Sequence, residues 1–208
     1  MALLKAGSAQ EPAQAAPPPA AATLLAALES AEAATRRRAA QDLGHHPEAV
    51  TALAAALAAE ADRTVLDALV GALGRIATPD AMAALRAHLR SEDAWLRNAV
   101  VLALQDIGPA AAVALRPMLQ DPDTDLRIAA LVALGGVRCQ EAEGWIAALL
   151  ESEADINVCA SAIETLGQIG GPASVPALER AAARFADEPF LAFAAKAVRD
   201  RLAAGDRP

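Results

Sequence analysis

The feature that most restricts this chain is a repeat. The motif Ala-Leu-Gly, or a close relative, recurs with its leucine at Leu43, Leu73, Leu104, Leu134 and Leu166, at spacings of 30, 31, 30 and 32 residues. A second register of apolar pairs runs through Leu24/Leu28, Leu53/Leu57, Leu85/Leu89, Leu115/Leu119, Ile146/Leu150 and Leu178/Ala182. Each pair lies 19 or 20 residues before its anchor, with Val198 as the anchor of the last unit. Self-similarity at such a period marks an array of small supersecondary units rather than one large core. Six units result, each reading as two helices. The i, i+4 pair puts two apolar side chains on one face of a first helix, A. A second helix, B, runs from about eleven residues before the anchor to just past it.

The punctuation agrees with that reading. Helix B is preceded by an acid in every unit, Glu32, Asp62, Asp93, Asp123, Asp155 and Asp187. An acid there caps free N–H groups and meets the positive end of the helix dipole, worth about 1 kcal/mol per cap. Three residues on, Thr35, Val65, Leu96, Leu126, Val158 and Phe190 form a mostly apolar seam. Gly44, Gly74, Gly135 and Gly167 allow close approach near the helix end, Gly108 and Gly170 suit a left-handed stop, and Pro47, Pro79, Pro109 and Pro172 prevent continuation. Neither helix can hide its apolar face alone, so the units stack, with axes roughly 8–10 Å apart, into a body on the order of 50 Å long. Polar ends suit such a stack: Arg36, Arg37 and Arg38 in the first unit, and Lys196, Arg199, Asp200 and Arg201 in the last.

Composition supports helices with thin seams. Of 208 residues 59 are Ala, aromatics are 2% and Tyr is absent, so β and parallel α/β folds are poorly served. The net charge of −8 argues against a phosphate-rich partner. Arg36, Arg37, Arg38, Arg63, Arg75 and Arg97 gather toward the N-terminal half, but acids are interspersed and stacking aromatics are missing, so no nucleic acid is expected. Cys139 and Cys159 make no disulfide framework and point to a reducing, cytoplasmic setting; both read as small packing residues. No apolar run reaches the length of a signal peptide or a membrane span. Residues 1–20, rich in Pro, Ala and Gln, are expected to be disordered, the solenoid to occupy 21–203, and 204–208 to form a short disordered tail.

The segments DAWLRNAVVLALQDIG (93–108) and DTDLRIAALVALGGV (123–137) resemble the second helix of short HEAT-like repeats, the kind found in phycobilisome lyase subunits. The resemblance covers residues 22–202 and implies an all-α, right-handed solenoid of six two-helix repeats. It further implies a ladder of Asp and Arg between adjacent repeats, here Asp93, Arg97, Asp123 and Arg127. The ladder is interrupted where the Arg position holds Leu66, Cys159 or Leu191. Pro117 resembles the kink-forming proline of HEAT first helices. Deoxyhypusine hydroxylase, a HEAT-like enzyme, holds di-iron with His-Glu pairs, but none of His45, His46 and His88 is followed by Glu. That activity is excluded, and His45 and His46 read as a solvated turn. No catalytic residue, metal site or cofactor is assigned.

Subtracting the scaffold leaves one anomaly. In HEAT-like solenoids the B helices line the concave face, and the positions nine, six and two residues before the anchor point away from the seam. They are polar or small in most units, but the middle two carry Trp95, Leu102, Ile128 and Val132, flanked by Asn98 and Asp125. Either these form an apolar contact patch, or the helical phase is off by one and some belong to the core. Trp145 stands where other A helices carry Ala or Thr, as a second contact or as a plug over a gap. The expected function is a non-enzymatic, monomeric scaffold holding a protein segment in its groove. The alternative is an accessory subunit of a bilin lyase or another cofactor-maturation system, which the family resemblance implies.

Overall fold

The computed structural model describes residues 20 to 205 apart from residue 138, so the expected lead and tail lie, save for Ala20, Ala204 and Gly205, outside the described residues. Twelve α-helices follow in six pairs among the described residues: α1 (Ala21–Ala27) with α2 (Ala33–Leu43), α3 (Val50–Ala59) with α4 (Arg63–Ile76), α5 (Pro79–Ala87) with α6 (Ala94–Ile107), α7 (Pro109–Leu115) with α8 (Thr124–Gly135), α9 (Gln140–Ser152) with α10 (Ile156–Ile169), and α11 (Val175–Arg184) with α12 (Pro189–Ala203). The even-numbered members are the B helices. Every Leu anchor from Leu43 to Leu166 is fully buried, as are Leu53, Leu85, Leu115, Ile146 and Leu178 of the A helices. These side chains belong to one apolar seam running the length of the stack. Neighbouring B helices touch along more of their length than neighbouring A helices do, so the B layer is the shorter, inner side of the stack.

Ala makes that close stacking possible. Ala39, Ala40, Ala72, Ala130, Ala133, Ala162 and Ala195 are buried on B helices, where any longer side chain would push the layers apart. Proline shapes the A helices. Pro79 and Pro109 occupy the first helical turn, where the missing N–H costs nothing, and Pro47 and Pro172 open short 3₁₀ turns that lead into α3 and α11. Pro117 ends α7 instead of kinking it, and Arg116–Gln120 continue as a 3₁₀ turn.

Three further local expectations are corrected. The sixth B helix starts at Pro189 after Glu188, so Asp187 is one residue too early. Leu191, 1% exposed, fills the seam that was assigned to Phe190, which is 74% exposed. The cause is Pro189, whose fixed φ and missing N–H suit the first helical position and move the register by one. The left-handed stop falls on Ala77 (φ 49°), while Gly170 is extended (φ −71°, ψ 165°). Gly170 is needed for another reason, since a Cβ there would lie 2.4 Å from the Leu166 carbonyl oxygen. Gly108, at φ 80°, does use the conformational freedom of glycine.

The third correction concerns the ladder. Asp93 and Asp123 do not face arginines of the Arg97 and Arg127 series; their carboxylates accept the backbone N–H of Trp95 and Asp125, and Asp62 and Asp155 cap α4 and α10 in the same way. The acids that meet those arginines stand two residues before a cap. Arg36 Nε donates to Glu60 at 2.7 Å and Arg127 Nε to Glu153 at 2.8 Å. At the equivalent place Asp121 pairs with Arg90 at 3.1 Å, and Arg97 donates to the Ser91 carbonyl instead. The same position, occupied by Ser30, Glu60, Ser91, Asp121 or Glu153, accepts the N–H of the capping residue that follows. The family pattern places acids near the helix start correctly, but those that reach Arg36 and Arg127 stand two residues before the cap and not at it.

Candidate interaction surface

On the B layer the outward phase is as the periodicity implies. Two residues before the anchors, Gln41, Leu102, Val132 and Glu164 are exposed and Gly71 is half-buried. Leu102 is 52% and Val132 49% exposed, so neither is core. Trp95 and Ile128 are half-buried and lean against the seam. Asn98 and Asp125 are exposed.

These side chains border two adjoining clefts. One, of about 550 Å³ between α6 and α8, is lined by Val101, Asp125, Ile128 and Val132. The other, of about 340 Å³ between α4 and α6, is lined by Asp67, Trp95, Leu102 and Asp106. Asn98 borders both. All six residues singled out on the middle units therefore lie on one continuous face. Val101, buried at the edge of one cleft, and Asp67, exposed in the other, are lining residues that the repeat comparison does not single out.

Polar side chains of one B helix also cap the carbonyl ends of its neighbours. Arg75 donates to the Gln41 carbonyl (3.0 Å), Gln105 to that of Val132 (3.0 Å) and Thr165 to that of Leu131 (3.3 Å), with Arg201 bonded to that of Gly167. Trp145 on α9 is half-buried against the seam beneath the Arg116 guanidinium, 5.0 Å from its ring centre.

The fifth unit shows how a missing ladder arginine is replaced. Cys159 is buried in that slot, and burial raises its thiol pKa. The guanidinium comes from the next unit: Arg184 donates to the carbonyls of Leu150 (2.7 Å) and Glu153 (2.9 Å) and approaches the Cys159 sulfur at 3.6 Å. Cys139, before α9, is half-buried with its sulfur 3.3 Å from Glu141 Oε2. His45 and His46 sit in the turn before Pro47, and His46 Nδ1 lies 2.9 Å from Glu48. Among the described residues no group of three or more His, Cys, Asp or Glu could hold a metal ion, and no helix is long and apolar enough to cross a membrane.

Paired helices of near-constant period, sharing one linear seam, define an α-solenoid repeat protein. The profile of HEAT repeats matches residues 21–105, 50–122 and 112–199, and the chain belongs to that family. Among solved structures it is similar to the complex of CpcE and CpcF of phycocyanin lyase from Nostoc sp. PCC7120 (26% identity, TM-score 0.46, 85% of this chain and 76% of that one). It is also similar to human deoxyhypusine hydroxylase (19%, 0.47, 88% and 84%) and to an archaeal HEAT-like repeats protein from Thermococcus onnurineus NA1 (15%, 0.45, 88% and 87%). A comparison with curated proteins finds no match.

Proposed function

We propose that the chain is a non-enzymatic scaffold that holds a protein segment on the inner face of its B helices, across α4, α6 and α8. The observation that carries this reading is the pair of exposed side chains Leu102 and Val132 on adjoining clefts, with Trp95 and Ile128 half-buried beside them. Leu102 and Val132 are about half exposed, so the packing of the repeat does not require large apolar groups at their position. At the same position other units carry Gln41, Gly71 and Glu164. A rigid aromatic anchor beside exposed aliphatic groups and a polar rim has the make-up of a binding hot spot.

Leu102→Asp tests the reading. Affinity capture with the wild-type chain should recover a partner that the variant loses, while helical circular dichroism and the melting transition stay unchanged. A large fall in stability, or unchanged recovery, overturns the assignment. Absorbance titration with a bilin separates the accessory-subunit alternative, because a spectral shift on binding would favour it over the scaffold.

A further inference from the structure

The charges around the two clefts are unequally committed. The carboxylates of Asp67 and Asp106 at one cleft, and of Glu92 and Asp125 at the other, are exposed, and no cation among the described residues pairs with them. The arginines of the same face are engaged within the chain. Arg75 is bonded to the Gln41 carbonyl, Arg90 to Asp121 and Arg97 to the Ser91 carbonyl, while Arg63 lies over the Trp95 ring at 5.6 Å. Those guanidiniums keep their charge, but the carboxylates lining the two clefts, Asp67, Glu92, Asp106, Asp123 and Asp125, outnumber the lining arginines, Arg75, Arg90 and Arg97, so an incoming segment meets Leu102 and Val132 within a net negative rim. A like-charged segment would have to approach those carboxylates without compensation.

We propose that the occupant of this face is a cationic amphipathic peptide segment, with Lys or Arg flanking apolar side chains that seat against Leu102 and Val132. Its apolar groups supply the buried area, and its cations pair with Asp67, Asp106 and Asp125. This rests on the scaffold reading above and adds the chemistry of the partner. Association steered by such charges is screened by salt, with a Debye length of about 10 Å at 0.1 M.

Selection from a random peptide library of about 16 residues against the full chain, with counter-selection against Leu102→Asp, tests both levels. The expected binders combine apolar residues with an excess of Lys and Arg. For a synthesised binder, the triple change Asp67→Asn, Asp106→Asn and Asp125→Asn should raise Kd about tenfold or more, as should moving from about 50 mM to about 500 mM NaCl. Melting curves identify any variant that fails to fold, and the single changes Asp67→Asn and Asp125→Asn then carry the comparison. Binders that depend on Leu102 but are neutral or acidic, or that ignore both the carboxylates and salt, overturn the proposed chemistry and leave the scaffold reading standing. No Leu102-dependent binder overturns both.

Discussion

Glu60 does two jobs with one carboxylate. Its Oε1 accepts the N–H groups of Ala61 and Asp62, and both oxygens accept from Arg36 of the preceding unit. With the Arg36 guanidinium first among the causes, the carboxyl is held at about 2, below the ordinary 4.5. A group whose pKa is depressed on folding contributes fully above its unfolded value and loses that contribution as pH falls through the folded one. Urea midpoints should therefore fall between about pH 4.5 and about pH 2, and Glu60→Gln should flatten that dependence while costing about 2 kcal/mol at neutral pH. Burial of Cys159 makes a second prediction at this scale. Its raised pKa leaves little thiolate, so it should resist alkylation in the native protein and react after unfolding, as mass spectrometry of labelled peptides would read.

At the scale of the helix, the termini are where local sequence and stacking meet. Ala77 stops α4 in the left-handed region, which costs an L-residue with a Cβ about 1 kcal/mol or more. Ala77→Gly should accordingly stabilise the protein by about 0.5–1 kcal/mol in urea denaturation. The C-terminal carbonyls of α9 depend on a side chain from the next unit, because Arg184 takes the place that a ladder arginine holds elsewhere. Arg184→Ala should cost about 1–2 kcal/mol, since it removes the guanidinium donor from the Leu150 carbonyl and leaves the Glu153 carbonyl only the weak Cys159 thiol. Cys159→Ser in the same slot should cost less, because the hydroxyl can still donate to the Glu153 carbonyl that the thiol now reaches at 3.4 Å.

For the whole molecule, one seam carries the stability. Leu104 is fully buried in the third unit, and Leu104→Ala should cost about 3 kcal/mol or more because the stacked helices on either side cannot close the space. Phe190 and Phe193, 74% and 72% exposed on the last helix, are a contrast of equal kind. Replacing either with Ser should change stability by less than about 0.5 kcal/mol in the same denaturation experiment.

The number of repeats, the alternation of helices and the seam of the first five units are legible in the residues alone, because period and helical phase are local properties that each unit restates. The sequence also marked Trp95, Leu102, Ile128 and Val132 as unlike what most other units carry at their positions, and left open whether they form a contact patch or belong to the core. The tertiary structure alone decided which of the four remain open to solvent, with Leu102 and Val132 exposed and the other two half-covered. It alone decided that Arg36 and Arg127 reach glutamates two residues before the caps, and that Arg184 serves a neighbouring unit. Those outcomes turn on how far a side chain spans between stacked repeats, a distance set by the packing of buried alanines and leucines and not by the order of residues along one helix. The register of the last helix shows the opposite case: Pro189 carried the decisive local signal, and hydrophobic spacing alone passed over it.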